Sequence, residues 1–330
     1  MSERRQDPLS GRWVAVAGER RERPQVLRLP PPPPHPPADH CPFCPGHEEP
    51  ELETWREGEG TSWRARVVRN RFARLDPPEA GCRDLTVPGS LLRRATVPGA
   101  AEVVVEGPGH GVRLGEMPGE HLEAAVRGQF ARLDALRKAG FGHVAVFRNQ
   151  GAMAGASQPH PHSQLVASWD VPPALEQERR QFLDHRERTD RCLLCDLAAE
   201  EASGEREVGR RGGFVFLAPW AGAHPMELLL VPETCSPDLL RTEPSSWAAA
   251  QAWVDRLLQS ALPGTASNLW VHHAPEEAAT FHWHAHVVPR QDVTGGWELA
   301  TGWQLEPLPP EQAAVFYREA WACLTAGSPA

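Results

Sequence analysis

The segment Gly155-Ala156-Ser157-Gln158-Pro159-His160-Pro161-His162-Ser163-Gln164 runs directly into the apolar pair Leu165-Val166. In extended backbone alternate residues share a face, so His160, His162 and Gln164 are predicted to point the same way. Two histidines set between prolines, approached through glycines that let a ligand come near the main chain, are hard to explain as packing alone. A neutral imidazole attacks phosphorus near pH 7 without a base to deprotonate it, provided neighbours stabilise the negative charge on the phosphoryl oxygens. The run therefore points to nucleophilic group transfer.

Cys41-Pro42-Phe43-Cys44 places two thiolates close enough to share one tetrahedral ion if two more ligands arrive from elsewhere. His110 and His160 are the candidates; the alternative is a buried reduced pair or a redox dithiol, although no thioredoxin-like context surrounds it. His272-His273 and His282-Trp283-His284-Ala285-His286 form a further group. Alternation places His282, His284 and His286 on one face, which suits either a second metal or a degenerate copy of the first site. Cys192 and Cys195 join Cys235 and a histidine as another zinc set, or are ordinary buried thiols. Seven cysteines, four of them in Cys-x-x-Cys pairs, favour metal or redox chemistry over disulfides.

Strands are predicted at Arg64–Val68, Glu102–Glu106, His143–Phe147 and Gln164–Ser168, each rich in Val or Phe and bounded by Gly, Pro or Asn. Between the second and third, Leu122, Val126, Phe130, Leu133 and Leu136 recur at helical spacing from Gly119 to Gly140. The order then repeats: strands at Phe214–Leu217 and Glu227–Val231, a helix from Ser246 to Leu262 with Trp247, Trp253, Val254 and Leu257 on one side, and strands at Asn268–His272 and His284–Val288. Each half opens on a Cys-x-x-Cys pair and closes on alternate histidines, which predicts a duplicated domain. A last helix is expected from Pro310 to Leu324, and the proline run Leu29–Pro37 is expected to be an extended linker.

At 330 residues, against about 100–200 per domain, the chain has room for two domains and an ample core. Hydrophobic residues are 41% and charged residues 23%, with no apolar run near the roughly 18 residues of a membrane span. The polar start MSERRQDPLSGRW lacks a signal-peptide core, which predicts a cytoplasmic protein with no membrane partner. Thirty-four basic against 43 acidic residues leave a net charge of −9, so nucleic-acid backbone is not an expected partner.

Taken together, these residues resemble the galactose-1-phosphate uridylyltransferase family of the histidine-triad superfamily, whose hallmark is a His-Pro-His-x-Gln strand, here His160-Pro161-His162-Ser163-Gln164. Asp7–Trp13 with Arg20-Arg21-Glu22-Arg23-Pro24 is similar to the arm whose arginines reach the substrate phosphates. Arg69-Asn70-Arg71-Phe72-Ala73 resembles the segment that meets the nucleoside, Gly107-Pro108-Gly109-His110 the turn with the third zinc ligand, and Phe147–Gly151 the approach to the active-site strand. Gly296-Trp297-Glu298 and Gln304 resemble the sugar-hydroxyl contacts.

The resemblance implies that His162 attacks the α-phosphorus of UDP-glucose to give a uridylyl-histidine and glucose 1-phosphate, after which galactose 1-phosphate takes the uridylyl group. Gln164, Ser157 and Asn149 would steady the phosphoryl oxygens, while Arg20, Arg23, Asn70, Glu298 and Gln304 would bind substrate. Zinc would sit on Cys41, Cys44, His110 and His160, and a second metal, zinc or iron, on Glu178, His272, His284 and His286. The implied fold is α+β: two histidine-triad-like halves of antiparallel sheet with packed helices, forming one long sheet per chain and a homodimer. An arm and linker would span 1–40, with halves at 41–185 and 186–330. Ser163 stands where uridylyltransferases usually carry glycine and resembles nucleotide-sugar phosphorylases, so an ADP-glucose phosphorylase using phosphate as acceptor is the alternative. A zinc-ribbon nucleic-acid binder is the reading from another class, and the charge of −9 counts against it.

Overall fold

The computed structural model describes residues 3–16, 37–73, 75–76, 78–89, 91–274, 280–291 and 294–326. Arg20, Arg23 and nearly all of the proline run lie outside them. The centre of the molecule is a ten-stranded sheet in the order β3 (Glu53–Glu59), β4 (Ser62–Arg69), β5 (Gly99–Val105), β7 (His162–Ser168), β6 (His143–Gln150), β11 (Ser267–His272), β12 (His284–Pro289), β10 (Leu228–Pro232), β9 (Phe214–Leu217) and β8 (Glu207–Arg211). Every ladder in it is antiparallel.

The first five strands and the last five repeat one connection pattern, and the two copies join edge to edge through β6 and β11, with Asn149 opposite Asn268. The duplicated α+β fold and its single long sheet are therefore as expected. A second, three-stranded sheet pairs β1 (Glu3–Gln6) with β2 (Trp13–Val16), and β2 in parallel with β13 (Gln304–Glu306).

One sheet face is covered by α1 (Gly119–Lys138), α4 (Pro244–Ala261) and α6 (Pro310–Ala326). The five apolar residues predicted for the first helix are all buried there, and Gly140, with φ of 94°, takes the left-handed turn that follows it. Strand alternation sends Leu165 and Ala167 of β7, and Ala285 and Val287 of β12, into this core. Their neighbours His162, Gln164, His284 and His286 therefore belong to the opposite face.

That opposite face carries α2 (Pro173–Thr189) and α3 (Leu193–Glu200), which pack Leu175, Phe182 and Leu194 against Val215, Leu229 and Phe281. Neither helix was legible in the pattern. Only Leu175, Glu178 and Phe182 of α2 are buried within a charged run, a stripe too narrow to announce a helix. Strands β3 and β8 were missed because sheet edges tolerate polar residues. The short helix α5 (Gly296–Thr301) leads into β13. Among the described residues no helix is long and apolar enough to cross a membrane.

Candidate active site and metal centres

Strand β7 begins at His162, so His160 lies just before it; the rings of both histidines pack against Phe43, and both residues line one cavity. His162 packs its ring beside Phe43, with centroids 5.6 Å apart. Its Nδ1 lies 2.8 Å from the carbonyl oxygen of His160. A carbonyl only accepts, so Nδ1 carries the proton and Nε2 keeps a lone pair. Burial pushes the pKa of His162 below its ordinary value, helped by the positive charge of Arg148, so the ring is neutral at pH 7. This is the form in which an imidazole attacks. Ser163 faces α1 instead, where its Oγ accepts from Gln129 Nε2 at 3.3 Å.

Two cavities meet at His162 and Gln158. The smaller, about 210 Å³, has Phe43, Leu52, Val68, Phe72 and Val103 among its walls together with Asn70, Ser157 and Gln164. Glu49, Arg66, Arg69 and Arg71 also line it, so apolar walls that suit a planar base stand beside charged groups that suit its ribose and phosphate. The larger, about 510 Å³, is lined by Arg113, Arg148, Asn149, Gln150, His160 and Arg290 among others. Guanidinium groups there suit an anionic, hydroxyl-rich ligand. A reacting phosphorus held where the cavities join would face His162.

Behind this junction, buried Arg148 is ion-paired with buried Glu106 and donates to the carbonyl oxygen of His162 at 3.4 Å and to Gln150 Oε1 at 2.6 Å. Burial lowers the Arg148 pKa to about 10, which still leaves it charged at neutral pH. Breaking such a pair from one side strands a buried charge, at a cost of about 3–5 kcal/mol, whereas replacing both partners with apolar residues costs far less. Glu106→Gln should therefore lower the thermal midpoint markedly, and Glu106→Leu combined with Arg148→Met should recover most of it. Equal midpoints for the single and double variants in thermal unfolding would contradict this.

Three clusters bring potential ligand atoms within 4.8 Å of one another. In the first, Cys44 Sγ lies 3.3 Å from His110 Nδ1 and 3.6 Å from His160 Nδ1, with Cys41 beside them. His160 Nε2 donates to the carbonyl of Gly107 at 2.7 Å, leaving its Nδ1 lone pair turned toward the thiols. Burial holds His160 at a pKa of about 4, hence neutral. Buried Arg66 braces the loop by donating to the carbonyls of Pro42 and Phe43 at 3.2 and 3.3 Å. Two thiolates and two imidazoles fit a tetrahedral structural zinc.

The second cluster is Glu178, His272, His284 and His286. His284 Nδ1 donates to the carbonyl of His282 at 3.0 Å, and burial lowers its pKa to about 3, so its Nε2 carries no proton; His286 Nδ1 donates to Glu227 at 2.8 Å, and that carboxylate outweighs burial and raises the His286 pKa. Both Nε2 atoms are buried without a hydrogen-bond partner. Burial alone would raise the Glu178 pKa, but His272, His284 and His286 outweigh it and hold the carboxyl at about 2. A carboxylate and three imidazoles fit a divalent zinc or iron.

The third cluster answers which histidine meets the three cysteines: His282 Nδ1 lies 3.6 and 3.5 Å from Cys192 and Cys195, with Cys235 alongside. His282 thus joins a Cys-x-x-Cys pair, apart from the cluster of His284 and His286, just as His160 joins one and His162 does not. Cys195→Ser is expected to remove one equivalent of bound metal per chain without affecting chemistry at His162. Elemental analysis alongside mass spectrometry checks both parts, and unchanged metal content would dismiss the cluster as a metal centre.

Of the remaining expected substrate residues, Asn70 and Ser157 line the smaller cavity and Asn149 the larger, its Oδ1 accepting from Asn268 Nδ2 at 2.8 Å. Glu298, on α5, and Gln304, on β13, line neither cavity. Sequence reasoning missed Arg66, Glu106, Arg148, Gln158, Glu227 and Arg290. The available signal was charge inside or at the end of Val-rich runs, as in Arg66-Val67-Val68 and Val103-Val104-Val105-Glu106.

A sequence profile described as galactose-1-phosphate uridyl transferase, N-terminal domain, matches residues 1–172. The chain is 30% identical to ADP-glucose phosphorylase of Arabidopsis thaliana, covering 96% of this chain and 92% of that one. It is 27% identical to galactose-1-phosphate uridylyltransferase of Thermotoga maritima, over 97% and 98% of the two chains. The crystal structure of an ADP-glucose phosphorylase from Arabidopsis thaliana with bound ADP-glucose superimposes with a TM-score of 0.79 at 25% identity, over 97% and 99% of the chains.

Proposed function

The chain belongs to the galactose-1-phosphate uridyl transferase family of nucleotidyl-transferring enzymes, and from that premise we propose that it moves a nucleoside monophosphate from a nucleoside diphosphate hexose to a phosphate-bearing acceptor through His162. The observation that carries this is the position of His162, with its Nε2 lone pair, where a cavity with apolar walls beside its arginines meets a second, larger one lined by Arg113, Arg148 and Arg290. Nε2 attacks the α-phosphorus, the P–N bond forms, and the bond to the bridging oxygen breaks with its electron pair leaving on hexose 1-phosphate. The proton on Nδ1 stays in its hydrogen bond to His160, which steadies the positive charge of the substituted ring. A phosphate oxygen of the acceptor then attacks the same phosphorus and the P–N bond breaks.

Gln164, Ser157 and Asn149 are placed to steady the phosphoryl oxygens, and Asn70 to meet the nucleoside. Zinc on Cys41, Cys44, His110 and His160 would supply folding energy and fix the His160 main chain. In this reading the half at 41–185 carries the chemistry, the half at 186–330 carries the third cluster, and the second is shared, with Glu178 from the first half and three histidines from the second.

Similarity to ADP-glucose phosphorylase favours ADP-glucose as donor and inorganic phosphate as acceptor. Exchange of UMP between UDP-glucose and galactose 1-phosphate is the second reading, favoured by the family profile and by the Thermotoga relative. Ser163 touches neither cavity, so any influence on the acceptor runs through its bond to Gln129. Intact-protein mass spectrometry under alkaline quench separates the two. An adenylyl increment cleared by phosphate supports the first, and a uridylyl increment cleared by galactose 1-phosphate supports the second. No increment from either donor would refute covalent transfer.

A further inference from the structure

The larger cavity has three arginines in its wall and no aspartate or glutamate. Two of these arginines are neutralised from behind: Arg113 donates to Asp255 at 2.6 Å, and Arg148 is paired with Glu106. The guanidinium of Arg290 has no carboxylate partner among the described residues. Its main chain is fixed, since it follows the end of β12 directly and its N–H donates to the carbonyl of Ala266 at 2.8 Å. A cation with no carboxylate partner among the described residues, directly after a strand and in a cavity that also holds the nucleophile, is suited to a phosphate group, which a guanidinium meets with paired, charge-assisted hydrogen bonds.

We propose that Arg290 binds the phosphate of the group that leaves and enters opposite His162, and so makes the enzyme specific for phosphate-bearing acceptors. The inference rests on the proposed nucleotidyl transfer and deepens it. Because the leaving hexose 1-phosphate and the incoming acceptor occupy the same side of the α-phosphorus in turn, one arginine serves both half-reactions. The shared chemistry is a phosphate monoester or free phosphate, and glucose 1-phosphate and inorganic phosphate are tested as separate arms.

The full-length protein and its Arg290→Gln and Arg290→Lys variants would be titrated calorimetrically with glucose 1-phosphate, inorganic phosphate, AMP and UMP, none of which needs turnover. Arg290→Gln is expected to weaken binding of whichever phosphate ligand the wild type takes by about tenfold or more. Its affinity for the nucleoside monophosphate, which sits in the smaller cavity, should stay within about twofold, and Arg290→Lys should recover part of the loss. Phosphate-ligand affinity unchanged in Arg290→Gln, or nucleotide affinity falling in step, would overturn the assignment. Wild type that binds neither glucose 1-phosphate nor phosphate would overturn it too. Failure of the transfer reading looks different: no nucleotidyl adduct forms on the wild type, while the direct titrations still decide the role of Arg290.

Discussion

Replacing His162 with alanine should lower turnover by at least about 10⁴-fold and abolish the nucleotidyl adduct, because the variant has no nucleophile and the remaining groups only bind and orient. Folding should be nearly unaffected. The deleted ring contacts Phe43 and one carbonyl oxygen, and the His160 side chain, not that of His162, belongs to the first metal cluster. Metal content and thermal midpoint should therefore match the wild type. The duplicated fold supplies an internal control, since His284 begins β12 as His162 begins β7 and makes the same Nδ1 bond two residues back. His284→Ala should disturb the second metal cluster and leave the adduct in place. An adduct that survives in His162→Ala, or metal lost together with activity, would contradict this assignment.

The repeated Cys-x-x-Cys pairs, the histidine strand and the helices α1 and α4 were legible because each is written in local spacing. His110 and His160 could be nominated for the first cluster for the same reason. What was not legible depends on long-range register. Nothing near Asn149 or Asn268 announces that β6 and β11 meet, yet that pairing joins the halves and supplies the Asn149 side chain with its partner. Pro161 and Trp283 each stand between a histidine that joins a Cys-x-x-Cys pair and one that starts a strand, a division of partners that alternation alone does not reveal. The ion pair links Glu106, just past the end of β5, to Arg148 of β6, so neither charge reveals its purpose alone. Glu298 and Gln304 carried a readable motif, but on α5 and β13 they line neither of the cavities that meet at His162.

Cys41→Ser should produce the complementary result, losing metal and stability first and activity as a consequence. Cys41 is fully buried, and neighbouring Cys44 is pushed up to about 11 by burial and by the adjacent Cys41 charge. The pocket as built thus disfavours bare thiolates, and a divalent cation is the partner that would make them stable together. Serine supplies a poor ligand for such an ion, so one equivalent should be lost. The loop would then be held against the sheet by the Arg66 bonds to Pro42 and Phe43 and by the bond from Trp63 Nε1 to Glu48 at 2.7 Å, without the ion that ties its two thiols to His110 and His160. A loss of several kcal/mol in a chain of this size corresponds to a fall in the thermal midpoint of roughly 10 °C. Activity should fall with it, because the carbonyl that orients His162 belongs to His160, itself a member of the cluster. Elemental analysis, calorimetric unfolding and adduct formation would be read on the same preparation. Full metal content with an unchanged midpoint would remove the structural ion from the account, whereas lost metal with an intact adduct would show that the Gly107 hydrogen bond alone suffices to hold His160.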